Sequence, residues 1–239
     1  MATFGIQHTS LEARDSKDQK RHDIQALFRH ARQAQNVVAT GTEAGTEPTR
    51  SLLPDIAKDF GFFYTMGGDS WVAVDQRWAT RRINDGFVKV VDSGSGHSTR
   101  GVAWMAVLTP AGRMSFASMH LLTDKSSKQE PYANDKLTDA AVEWARLHGP
   151  LAFVNADVNR NDQTRNVWES KGLVTCWDEL DSWPDTHEGG TGATIDVISR
   201  LRSGPAEFTA ARRFTDAALK MNADHCLIQA KVKVKEGEQ

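Results

Sequence analysis

Asp157-Val158-Asn159 ends the apolar run Leu151-Ala152-Phe153-Val154. Side chains alternate along an extended chain, so a carboxylate and a carboxamide two positions apart point the same way if the strand persists through them. The first could hold a hard cation or a water, the second a phosphate oxygen. Asp and Asn at strand ends also form turns, so the triplet gains meaning from its company. Val37-Val38-Ala39-Thr40-Gly41-Thr42-Glu43 closes on an acid, and Met114 to Leu121 closes on His120. Thr194-Ile195-Asp196-Val197-Ile198 carries a carboxylate, and Ala223-Asp224-His225 precedes an alternating strand. Phosphoester hydrolysis needs such a set. Charge gathering on the transition state must meet a divalent cation or cationic side chains, and a water must be deprotonated and aimed. Oxygen ligands favour Mg²⁺, Mn²⁺ or Ca²⁺ over zinc.

These groups need strands to carry them and helices to cover the strands. Thr3 to Thr9 reads as a first strand and Val37 to Thr42 as the next. Between them Asp18 to Gln35 is an amphipathic helix, with Ile24, Leu27, Phe28 and Ala31 on one stripe. Pro54 to Phe60 is expected as a short helix starting near the proline. Trp71 to Val74, Phe87 to Val91, Gly101 to Leu108 and Arg113 to Leu122 read as strands, the last two joined by Pro110-Ala111-Gly112. Asp135 to His148 is a second amphipathic helix, stopped by Gly149-Pro150. Strands are expected at Leu151 to Asn155, Leu173 to Cys176 and Ala193 to Ser199, and a short helix at Gln163 to Ser170. Glu207 to Lys220 fits helix or loop. From Cys226 to Lys235 apolar and polar residues alternate, the pattern of a half-buried strand. Strands with interspersed helices imply an α/β (α+β) arrangement of two packed sheets flanked by helices.

At 239 residues the chain can build one substantial core, and with no evident linker or repeat it reads as a single domain over 1–239. No apolar run is long enough to span a bilayer, and Met1 to Ile6 lacks the form of a signal peptide. Cys176 and Cys226 are the only cysteines, too few for a disulfide framework or a multi-cysteine zinc site. Two buried thiols in a reducing cytoplasm are the expectation, with a monomer as the default state. A net charge of -2 argues against a surface coated for non-specific nucleic-acid binding, though carboxylates in a catalytic cleft lower net charge by themselves.

The ordered series Thr42-Glu43, Ser118-Met119-His120-Leu121, Ala156-Asp157-Val158-Asn159, Ile195-Asp196-Val197 and Ala223-Asp224-His225 resembles the motifs of the endonuclease/exonuclease/phosphatase superfamily, whose fold is that of deoxyribonuclease I. Each piece is short, but five in order span most of the chain. The resemblance implies a four-layer sandwich of two mixed sheets between helices, with these strand ends on one rim. It further implies a metal-dependent phosphodiesterase, with DNA as the expected substrate and a small phosphoester as the alternative. A binding protein that keeps the fold without turnover is the third reading. By the same resemblance Glu43 and Asp224 would be metal ligands, and Asp196 would hydrogen-bond His225. Asp157 would orient or deprotonate water, Asn159 would bind a phosphate oxygen, and His120 would be a second phosphate contact or general acid. The choice of base stays open.

The family's first strand ends in Asn, whereas this one reads Ile6-Gln7-His8-Thr9. Gln7 through its carboxamide, or His8 through its imidazole, would have to take that place at the metal. Arg100, Lys125, Arg160 and Arg165 lie beside the motif segments as candidate phosphate contacts. Trp71 and Trp183 are candidate cleft residues. The remaining histidines, His187 among them, read as structural or solvated.

Overall fold

The computed structural model describes residues 2–11, 16–94, 97–123, 126, 132–159, 168–187, 194–215, 219, 221 and 225–235. Two six-stranded sheets face each other, ordered β11-β12-β1-β2-β4-β3 and β5-β6-β7-β8-β10-β9. The first contains β1 (Ala2–Ser10), β2 (Asn36–Thr42), β3 (Phe62–Gly67), β4 (Ser70–Asp75), β11 (Ala206–Phe214) and β12 (Leu227–Val234). The second contains β5 (Arg81–Val91), β6 (Arg100–Thr109), β7 (Gly112–His120), β8 (Ala152–Asp157), β9 (Leu173–Thr175) and β10 (Asp196–Leu201). Helices α1 (Lys17–Gln33) and α2 (Thr49–Asp59) cover the first sheet, and α3 (Ala133–His148) covers the second. This is the four-layer sandwich that the motif series implies.

Strand alternation builds the layers. Val38, Val72 and Val74 turn inward to the core between the sheets, while their neighbours Ala39, Trp71 and Ala73 turn outward under α1 and α2. Phe4 of β1 crosses the inter-sheet gap to meet Phe116 and Phe153 edge-on, with ring centroids 6.2 and 5.7 Å apart. Burying such a ring is worth roughly 1.5–3 kcal/mol, and edge contacts add about 0.5–1.5 kcal/mol. Trp71 is fully buried against Phe28, so it is core and not cleft.

Elsewhere the structure corrects the expected elements. Helix α2 begins at Thr49 and holds Pro54 inside it, because the buried stripe also uses Leu52 and Leu53. Residues 206–214 form β11, whose register shifts between Phe208 and Ala210. That bulge breaks the period of two and hides the strand in the sequence. The edge strand β3 was not anticipated. Cys176 lies past β9, and Thr175 caps a short helix α4 (Cys176–Glu179) with its side chain and that of Asp178. Both cysteines are buried, and neither is in a disulfide. Among the described residues no helix is long and apolar enough to cross a membrane.

Register sets the site. Parallel pairing of β7 with β8 puts His120 beside Asp157. Antiparallel pairing of β8 with β10 puts Asp196 on its other side. Paired residues share a face, so three titratable groups stand in one row at the end of the second sheet. In the first sheet, β1 and β2 set His8 beside Thr40 and Ser10 beside Thr42.

Candidate active site

Asp157 is the hub. Its Oδ2 lies 3.2 Å from His120 Nε2 and 3.8 Å from His225 Nε2. Ser10 Oγ donates to the same oxygen at 3.4 Å, and the Asn159 amide donates to Oδ1 at 2.9 Å. Burial alone would raise the Asp157 pKa. The charges and hydrogen bonds of His120, then His225 and the Asn159 amide, outweigh it and hold the carboxyl below its ordinary range. Asp157 is therefore a carboxylate at neutral pH.

Each flanking histidine has its own acid. His225 Nδ1 meets Asp196 Oδ2 at 2.9 Å, which leaves Nε2 toward Asp157. Asp196 is fully buried, and that burial raises its pKa against the opposing pull of His225. On the other side His120 Nδ1 meets Asp69 Oδ2 at 2.8 Å. Arg100 also pairs with Asp69 and lies 2.7 Å from the same imidazole nitrogen. Burial lowers the Arg100 pKa to about 10 against the pull of Asp157 and Glu43, so the guanidinium stays charged at neutral pH.

Glu43, Asp69, His97, Arg100 and His120 line a cavity of about 230 Å³. Glu43 is half-buried, with φ at 59°, so the chain turns sharply as it leaves β2. Asn159, also left-handed at φ 50°, donates its side-chain amide to the Leu121 carbonyl at 2.9 Å. The side-chain NH₂ has a second hydrogen.

The first strand resolves the choice between Gln7 and His8. Gln7 faces α1, donates to the Leu27 carbonyl at 3.1 Å and accepts from Asn36 at 2.9 Å. Both ends of its carboxamide are engaged away from the rim, so Gln7 is not placed to hold a metal there. His8, one residue on, points between the sheets, with Nε2 3.9 Å from Asp196 Oδ1. Burial lowers its pKa to about 3, overcoming the opposing effect of Asp157, and the ring is neutral.

The structure thus brings His120, Asp157, Asn159, Asp196 and His225 together, with Arg100 and Glu43 at the cavity beyond His120. Asp224, Arg160, Lys125 and Arg165 lie outside the described residues. Trp183 is half-buried and packs against the inter-sheet core. Asp157, Asp196 and His225 each present a ligand atom within 4.8 Å of the others, a set that could hold a metal ion. Two buried acceptors nearby, His8 Nε2 and Asp196 Oδ1, have no hydrogen-bond partner among the described residues, so the donor set is open to a cation.

Three participants were not visible from sequence. Asp69 sits in the turn between β3 and β4, where an Asp after two glycines reads as ordinary turn chemistry. Thr186 Oγ1 accepts the main-chain N–H of Ile195 and Asp196 at 2.9 and 3.0 Å, and its carbonyl takes the Cys226 N–H at 2.8 Å. It ties the segment bearing Asp196 to the one bearing His225. His187 packs edge-on against the His225 ring, centroids 5.2 Å apart.

No family model and no curated protein matches the sequence. Solved structures do. An endonuclease/exonuclease/phosphatase family protein from Bacteroides thetaiotaomicron superposes with a TM-score of 0.72 at 14% identity, covering 98% of this chain and 99% of that one. This chain has the endonuclease/exonuclease/phosphatase fold. D. rerio TDP2, solved with a single-strand DNA product, gives a TM-score of 0.76 at 12% identity, over 98% of this chain and 100% of that one. A mannosyl-6-phosphatase from Bacteroides thetaiotaomicron gives 0.71 at 15% identity, over 96% and 99%. At these identities the likeness establishes the fold, and the chemistry rests on the rim.

Proposed function

We propose that this protein is a divalent-metal-dependent phosphoesterase that hydrolyses phosphodiester bonds in DNA by in-line attack of water. One observation carries the reading: an ionised Asp157 stands between two imidazoles, each held by its own carboxylate. Acid–imidazole pairs fix the tautomer and raise basicity, and two of them serve the two ends of a displacement. Asp157 aims the attacking water, and His225 takes its proton through Nε2, with Asp196 stabilising the imidazolium. His120, at the cavity, contacts the phosphate or protonates the leaving oxygen, and Asp69 sets its orientation. Arg100 places positive charge beside the non-bridging oxygens, and the remaining amide hydrogen of Asn159 is available to one of them. Asp157 and Asp196 would hold the cation, leaving His225 Nε2 for the water, with Glu43 a further carboxylate at the cavity and Asp224 a further candidate. Bound there, Mg²⁺ or Mn²⁺ would supply positive charge against the negative charge on the phosphoryl oxygens.

A small phosphoester is the second reading. The cavity beside His120 is about 230 Å³, below the usual 300–1,000 Å³ of small-molecule sites, and the net charge of -2 gives no general attraction to a polyanion.

Plasmid nicking with Mg²⁺, Mn²⁺ or EDTA, on wild type, Asp157→Ala and His225→Ala, tests the proposal. Metal-dependent cleavage lost in both variants is the expected result. An intact plasmid together with turnover of a phosphomonoester panel replaces DNA by a small substrate. No turnover of either sinks the hydrolase and leaves a binding protein.

A further inference from the structure

His8 is wired on one side only. Thr40 has a single hydroxyl proton, which goes to the Gln7 carbonyl at 3.2 Å. The Thr40 oxygen accepts the Asn155 amide at 3.0 Å. With that proton on the carbonyl, the remaining contact, His8 Nδ1 at 2.9 Å, is a donor. In that tautomer the imidazole carries its proton on Nδ1 and turns a lone pair out on Nε2. That lone pair looks across the inter-sheet gap at Asp196 Oδ1, 3.9 Å away. Both residues are fully buried, and neither atom has a hydrogen-bond partner among the described residues. Two buried acceptors facing each other are unfavourable unless a donor or a positive charge lies between them.

A divalent ion answers that need. Nitrogen and oxygen ligands about 2.0–2.2 Å from an ion stand roughly 3.4 Å apart in a tetrahedral set and at most about 4.2 Å apart, so side-chain shifts of about 0.5 Å would close the gap. Asp157 pairs with Asp196 in the sheet and supplies a third donor within metal reach of it. We propose that His8 Nε2, Asp196 Oδ1 and Asp157 form a seat for a divalent ion, and that the imidazole tilts this seat from Mg²⁺ toward Zn²⁺ and other imidazole-seeking ions. Carboxylates alone suit Mg²⁺ and Mn²⁺, whereas imidazole suits Zn²⁺ and Ni²⁺. The inference rests on the reading of Asp157 and Asp196 as cation-holding groups.

Most sites bind Zn²⁺ more tightly than Mg²⁺, so the deciding quantity is the change on substitution. Calorimetric titration of the metal-stripped protein with Zn²⁺ and with Mg²⁺, without substrate, compares wild type with His8→Asn. The expected result is a loss of roughly tenfold or more in Zn²⁺ affinity, with a much smaller change for Mg²⁺. Equal losses for both ions, or no loss, overturns the seat. Since His8 is buried and the variant could misfold, long-range ¹H–¹⁵N spectra of wild-type imidazoles give a second reading. Zn²⁺ must shift the His8 Nε2 resonance. An Nε2 that is protonated without metal, or unmoved by it, overturns the seat and leaves a bridging water or a direct contact to Asp196. His8-dependent Zn²⁺ binding without turnover of any phosphoester keeps the seat and removes the hydrolase. Wild-type turnover with Mg²⁺, without His8-dependent Zn²⁺ binding, does the reverse.

Discussion

The two sides of Asp157 carry the same pair of side chains in unlike surroundings. Toward His225 the partner acid is fully buried, and its main-chain N–H is held by the buried hydroxyl of Thr186. Toward His120 the partner acid sits in a hairpin turn, is shared with Arg100, and faces a cavity. The imidazole–carboxylate distances are nearly equal, 2.9 and 2.8 Å. What differs is how the negative charge is met. Among the described residues Asp196 meets the His225 imidazole but no lysine or arginine, and its pKa rises with burial, whereas Asp69 has a guanidinium against it. One side is built to hold a group still, and the other to receive something from outside.

Removing the shared hub should cost most. Asp157→Asn is expected to lower the initial rate on a cleaved phosphoester by roughly 10⁴-fold, the upper range for a group that moves or aims a proton. A loss under tenfold would make Asp157 structural. Next come the histidines, each worth roughly 10²–10³-fold as alanine variants. If both act on one displacement through Asp157, the double variant loses much less than the product of the single losses. Fully multiplicative losses would show two independent roles. The orienting acids separate the sides: Asp196→Asn should cost roughly tenfold more than Asp69→Asn, because Arg100 stays beside His120 when Asp69 is neutralised. Equal losses would erase the asymmetry.

Stability gives a smaller effect with a definite sign. The His8 pKa falls from 6.5 in the unfolded chain to about 3 in the folded one, chiefly through burial. Below pH 6.5 the unfolded chain takes up a proton that the folded chain refuses, so folding weakens as pH falls. The slope from this residue is about 1.4 kcal/mol per pH unit. Denaturant titrations of metal-free wild type and His8→Asn at pH 7, 6 and 5 should show a flatter dependence in the variant. Parallel curves would mean that His8 is not buried neutral. At the far end of the second sheet, Arg202→Ala breaks an exposed pair with Glu169. It should change stability by less than about 1 kcal/mol and leave turnover intact. A clear loss of turnover there would extend the site beyond the rim.

The rim was legible because β7 and β8 end, and β10 begins, on a titratable side chain, with Glu43 just past β2 and His225 just before β12, and strand ends show as apolar runs that stop. Which face a residue takes was harder. Gln7 and His8 are adjacent, and period-two alternation says that they part company without saying which one faces the second sheet. That depends on which layer lies on each side of β1. Asp69 gave no signal because its turn would use an Asp with or without a catalytic neighbour. Thr186 is informative only through two main-chain amides that fold back to it. β11 was obscured by its own bulge, and β3 by its place at a sheet edge.

Strand β1 lies in the middle of its sheet, between β2 and β12. Its second neighbour is encoded more than two hundred residues downstream, with every strand of the other sheet in between. His225 stands just before β12. A ribosome therefore releases Glu43, Asp69, His120, Asp157 and Asp196 well before the residue that completes the cluster can dock. The nascent chain carries a central strand with one open edge, and the rim closes only when β12 zips along it. If the rim is a hydrolase, the enzyme is silent until β12 has been made, and its activity reports the arrival of that strand.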